Sequence, residues 1–162
     1  MAKGGLRAAF RLMAAEPVDP TSFTFSMEKR VRWSEVDPQG IVFNPNYLVF
    51  ADIAFTEYMR AIGLAFPNPF EAEGTEIFAV RSEVNFRVSA RFDDELTLLA
   101  RTARLGRSSF TVEMAVRRAE ALLADIRTVY VNADPASSTS RPLPPALIDK
   151  VLAFERHAPE RA

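Results

Sequence analysis

Cysteine is absent from this 162-residue chain, and histidine occurs once. Without cysteine there is no disulfide and no thiolate chemistry, which fits a reducing, cytoplasmic location. The single histidine, His157, lies in a polar tail beside Glu155, Arg156, Glu160 and Arg161, a setting for a solvated side chain. A Ser-His-Asp triad therefore lacks its base. A metal site would have to be all-carboxylate, and none is expected. No apolar run approaches the ~20 residues that span a bilayer. A formal net charge of -1 provides no field that would draw the chain to nucleic acid or an anionic membrane. Chemistry must come from carboxylates, hydroxyls, arginines and the backbone.

What is present is ordinary for one globular domain: 48% apolar and 25% charged residues, with no internal repeat. Residues 1–20 form an extension. Lys3, Arg7 and Arg11 recur at helical spacing beside Leu6, Phe10 and Met13, an amphipathic pattern without the apolar core of a secretory signal. The domain proper is expected at 21–135, followed at 136–162 by a loop, a short helix and a tail.

From Phe23 to Trp33 apolar and polar residues alternate, with Phe23, Phe25, Met27, Val31 and Trp33 on one face and only Lys29 out of step. Period two predicts a strand with one buried face. Asp37-Pro38-Gln39-Gly40 has the composition of a turn. Asn44-Pro45 then reads as an N-cap and first helical residue, and the helix runs to about Ile62, with Gly63 as its stop. Apolar rows (Tyr47, Ala51, Ala54, Tyr58, Ile62 and Leu48, Phe55, Met59) cover most of its circumference, so it must be largely enclosed. Asp52, Thr56 and Arg60 leave a narrow polar stripe. Four more strand patterns follow: 78–88, in which Phe78, Val80, Val84, Phe86 and Val88 alternate with Arg81, Glu83, Asn85 and Arg87 and so fall on one face, then 95–105, 110–116 and 122–131. A last helix opens at Pro144-Pro145 and reaches about Phe154. One strand, a long helix and then four strands predict an α+β fold, a five-stranded antiparallel sheet wrapped around a central helix.

The segment Ser34 to Tyr47, SEVDPQGIVFNPNY, places a carboxylate, a tight turn and a helix opening within a dozen residues. Unpaired amides at a helix start can stabilise an oxyanion. Pro45 has no N–H, so the amides of Asn44, Asn46 and Tyr47 are the candidate donors, with Asp37 as the group that attacks or activates water. The alternative is that Asp37 caps its turn and Asn44 caps the helix, with no chemistry.

The run VDPQGIVFNPNY, followed by a helix ending in TEYMR, resembles the signature of the 4-hydroxybenzoyl-CoA thioesterase family of hot-dog proteins. Asp37, Gly40, Ile41, Val42, Phe43, Pro45, Asn46 and Tyr47 match it, and the likeness continues through NFRVSARFDDELTL and GRSSF, from about Glu28 to Ala133. The resemblance implies a hot-dog fold, homodimers that pair further into homotetramers, and an acyl-CoA substrate bound between subunits. Coenzyme A enters only as part of that substrate; no other cofactor is implied. It also implies catalysis by Asp37, with the Asn44 amide as oxyanion donor, and an acyl pocket near Gly40, Phe43, Pro45, Asn46 and Tyr47. Many members carry histidine where this chain has Asn44; the DPxGIVFxPNY form is closer to the aryl-CoA branch. Arg104, Arg107 and Ser108, at the hairpin after the third strand, are candidates for the coenzyme's phosphates; solvated hairpin charge is the alternative. Glu57 and Asp52 are lesser catalytic candidates. Glu57 is expected to bond to Arg81 or Arg87. A non-catalytic acyl-CoA-binding module is the competing reading.

Overall fold

The computed structural model describes residues 16–64 and 66–162. Strand β1 (Phe25–Arg30) is followed by helix α1 (Asn46–Ala61) and strands β2 (Glu76–Phe86), β3 (Glu95–Leu105), β4 (Ser109–Arg118) and β5 (Ala121–Asp134). A two-residue strand β6 (Thr139–Ser140), helix α2 (Pro145–Phe154) and a two-residue strand β7 (Glu160–Arg161) complete the chain. The long strands pair antiparallel in the order β1-β3-β4-β5-β2. The fold is the hot dog that the sequence predicts: a curled antiparallel sheet around one long helix. The two short strands are additions, and β7 runs parallel to β3.

The core lies between α1 and the concave face of the sheet. Phe50, Ala54, Tyr58 and Met59 of the helix meet Leu96, Leu98, Ala100, Phe110, Val112 and Met114, all essentially inaccessible. At about 25 cal/mol per Å2 of apolar surface, this burial dominates the fold's stability. Helix α2 closes one end, with Leu147 and Val151 completing the same core.

Three sequence expectations need correction. The first strand is shorter than 23–33. Phe23 packs on the convex face with Leu99 and Ala115, while Trp33 opens a 3-10 turn and is 74% exposed. In β2 a bulge between Ala79 and Arg81 switches the faces. Phe78 and Val84 therefore do not share a side, because one extra residue reverses a period of two. The helix start also moves. Asn46, Tyr47 and Leu48 donate their amides to the carbonyls of Phe43, Asn44 and Pro45, so the first turn is wound as 3-10 and the α-helix begins at Asn46. Pro45 takes the cap position with no side-chain cap, and Asn44 lies outside.

Of the N-terminal extension, residues 1–15 lie outside the described residues; Val18 packs beside Phe23 against Leu99 and Ala115. Among the described residues no helix is long and apolar enough to cross a membrane.

Candidate active site

Asp37 sits in a loop built as a small hairpin. Val36 bridges Val42, and Ile41 bridges Arg91, which fastens the loop to the chain entering β3. The Asp37 amide donates to the Ile41 carbonyl at 2.9 Å, and the Gly40 amide donates to the Asp37 carbonyl at 2.9 Å. Gly40 adopts φ +73°, a left-handed conformation that glycine reaches without a Cβ clash. The Asp37 side chain is half-buried; its Oδ1 accepts the Gln39 amide at 2.8 Å. Its Oδ2 has no partner among the described residues.

The neck of the loop is closed by Glu35. Its carbonyl accepts the Phe43 amide at 2.9 Å and the Asn46 side-chain amide (Nδ2) at 2.8 Å. Its carboxylate accepts Lys29 Nζ at 2.7 and 2.9 Å and the Arg32 amide at 2.8 Å. Asp37 on one arm and Asn44 on the other therefore belong to one tied unit.

The three candidate oxyanion donors part company here. The amides of Asn46 and Tyr47 are spent within the 3-10 turn, at 2.8 and 3.2 Å. The Asn44 amide donates to no group among the described residues, and Asn44 is exposed. A free N–H beside a helix opening carries the local positive potential of that end. Such an arrangement can polarise a carbonyl that a carboxylate, or water activated by it, attacks.

The remaining candidates fall into two groups. Gly40, Phe43 and Pro45 are exposed around the loop, and Asn46 is half-buried. Tyr47 is 3% exposed; its hydroxyl accepts the Ala90 amide at 3.1 Å and its ring meets Phe50 and Phe86. Burial pushes its phenol pKa above the ordinary value. It fastens the helix opening to the segment before β3 rather than presenting a free hydroxyl.

Arg104, Arg107 and Ser108 lie at the far end of the sheet. The Asp37 loop is fastened at Arg91, before β3 begins, whereas the hairpin follows its last residue, Leu105. Eleven strand residues separate the two ends, roughly 35 Å of extended chain. Within one chain these arginines and Asp37 do not share a site.

Glu57 pairs with Arg60 on its own helix, not with Arg81 or Arg87; the (i, i+3) spacing brings the two together locally. Asp52 is exposed, and its charge joins burial in raising the Tyr130 phenol beyond its ordinary range. His157 is exposed in the tail. Among the described residues no group of three or more histidines and carboxylates is placed to hold a metal.

Sequence reasoning missed Glu35 and Lys29. The signal was there: Lys29 alone broke the strand alternation, and a charged residue on a buried face must find a partner.

A profile described as the Thioesterase superfamily matches residues 39–124, just over half of the chain. The chain belongs to the thioesterase superfamily. Similar curated proteins include a 1,4-dihydroxy-2-naphthoyl-CoA hydrolase of Synechococcus elongatus, 21% identical over 77% of this chain and 93% of that one. Another is the acyl-CoA thioester hydrolase YbgC of Escherichia coli, 26% identical over 76% and 92%. Among solved structures, a Thermus thermophilus thioesterase complexed with coenzyme A and Zn has a TM-score of 0.73 at 27% identity, covering 85% of this chain and 98% of that one.

Proposed function

We propose that this chain hydrolyses an acyl-CoA thioester, aryl or short-chain, to the free acid and coenzyme A. The observation that carries the reading is that one tied loop holds two groups without a partner among the described residues: the Asp37 Oδ2 oxygen and the Asn44 amide. The thioester carbonyl is polarised by the Asn44 N–H while Asp37 attacks the carbon or removes a proton from the attacking water. In the first route a mixed anhydride forms as the C–S bond breaks, and water then cleaves it. In the second, water adds directly and the thiolate leaves. The DPQGIVFNPNY loop and the aryl substrate in the name of the Synechococcus relative favour an aromatic acyl group, as in the 4-hydroxybenzoyl-CoA branch.

The chain acts as a dimer in this reading. Strand β2 pairs only with β5 among the described residues, leaving one edge free. Phe78, Val80 and Phe86 are exposed along it, and Phe43, Leu48 and Val49 nearby. Open apolar edges invite pairing with a second copy. Antiparallel joining of two β2 edges reverses one copy relative to the other. A second copy's Arg104, Arg107 and Ser108 then come level with the end of the sheet that carries Asp37, where the arginines can meet the coenzyme's phosphates.

The test is thiol release from benzoyl-, phenylacetyl-, short- and medium-chain acyl-CoA. Turnover of at least one, lost in Asp37→Asn, supports the proposal. Tight binding of the same panel without thiol release marks a binding module instead.

A further inference from the structure

Lys29 is the residue that the strand pattern leaves unexplained. It lies on β1 at the same inward parity as Phe25 and Met27, opposite Leu96 of β3. An apolar residue there would continue the core. Instead the side chain is 9% exposed, with Nζ 4.4 Å from the centre of the buried Phe50 ring and both oxygens of Glu35 within 2.9 Å. The face of an aromatic ring attracts a cation, so Phe50 on α1 fixes the ammonium from one side while Glu35 fixes it from the other. Glu35 in turn is joined to Arg32 through its carboxylate, and to Phe43 and Asn46 through its carbonyl. One largely buried cation thus connects β1 and the helix to the residue that closes the neck of the Asp37 loop.

A charged pair at this depth is a poor means of gaining stability. Desolvation of the two ions offsets much of their attraction, and apolar replacements of similar volume are often no worse. What the pair supplies is direction. A point charge chelated by both carboxylate oxygens sets where Glu35 lies, and its backbone carries the Phe43 and Asn46 bonds with it. The carboxyl of Asp37 is two residues away on one arm, and the Asn44 amide follows Phe43 on the other. We infer that Lys29 is a positioning residue for thioester hydrolysis: through Glu35 it sets the separation between the Asp37 carboxylate and the Asn44 amide without touching the substrate. This inference rests on the thioesterase reading above.

The experiment compares wild type, Asp37→Asn, Lys29→Arg, Lys29→Met and the double variant Lys29→Met/Glu35→Gln, each by urea denaturation and by kcat and KM on the best acyl-CoA of the panel. Lys29→Met is expected to lower kcat about 10- to 100-fold, the cost of misplacing reacting groups by about an ångström, with KM changed less than about threefold. Lys29→Arg keeps the cation and recovers most of kcat. The double variant removes both part-buried charges and recovers stability, yet its kcat stays low, because Glu35 has lost its anchor. Recovery of kcat together with stability in the double variant overturns the inference, since the pair would then serve the fold alone. So does a Lys29→Met enzyme with wild-type kcat. Should Lys29→Met not fold, the double variant decides by itself. An Asp37→Asn variant that keeps full activity is a different failure: it removes the catalytic reading.

Discussion

The hydroxyl of Tyr58, in the last turn of the central helix, donates to Glu155 Oε1 at 2.6 Å, although the two are 97 positions apart in the chain. The same oxygen accepts the Thr102 amide at 2.9 Å, while Oε2 is buried without a partner among the described residues. The tail after α2 is therefore locked to both the helix and β3 through one carboxyl.

Tyr58→Phe is expected to destabilise the fold by about 1–3 kcal/mol, the range for losing a buried hydrogen bond to a group that can ionise. Urea denaturation measures it. A change below about 0.5 kcal/mol would show that the tail does not depend on this contact.

Glu155 also gives stability a pH dependence of known sign. Burial raises its pKa, more than the bonds from Tyr58 and Thr102 lower it. A carboxyl raised in the fold binds its proton more tightly there than in the unfolded chain. Its contribution is thus full below the ordinary carboxylate range and is lost as pH rises through the folded value. Glu155→Gln should remove this slope and gain most, relative to wild type, at the alkaline end. Denaturation midpoints across pH 4 to 8, as a difference between the two proteins, isolate it.

Glu113 provides the opposite sign on the convex face. Burial pushes its carboxyl up, but Arg101 and Arg127 on the flanking strands outweigh that and hold it below the usual value. This contribution is present above the ordinary carboxylate range and is lost as pH falls through the lowered pKa. Glu113→Gln should cost about 1–3 kcal/mol at neutral pH and progressively less in acid. An equal cost at every pH would contradict the ionic origin.

In the loop, Asp37→Asn should lower kcat by about 10²- to 10⁴-fold, the usual worth of general-base action, with little change in denaturation midpoint, since the Gln39 contact survives on the amide oxygen. Gly40→Ala separates backbone from chemistry. Among the described residues no atom lies within 4 Å of the added Cβ, so the cost is that of φ +73°, about 1–2 kcal/mol. A kcat loss larger than that stability loss would show that turnover depends on the shape of the turn.

Much of this arrangement was readable from residue order because it is local. The turn at Asp37 to Gly40, the helix stop at Gly63 and the span of β3 follow from patterns within a few residues. What was not readable depends on distant partners. Glu155 looked like a tail residue, and only folding brings it to Tyr58 and Thr102. The bulge near Val80 carries no glycine to announce it, so the alternation alone puts Phe78 on the face of Val84, which the structure separates. Asn44-Pro45 had the composition of a cap, but i→i-3 bonding moved the helix start by one residue. The candidate catalytic pair is legible through its motif; Lys29 shows in the sequence only as a break in the strand alternation, and its partner Glu35 only in three dimensions.

The distance between the Arg104–Arg107 hairpin and the Asp37 loop has a genetic consequence. When each site draws its acid from one subunit and its phosphate grip from the other, two inactive chains can repair each other. Co-expressed Asp37→Asn and Arg104→Ala/Arg107→Ala subunits would then form mixed dimers with one intact site, active where neither parent is.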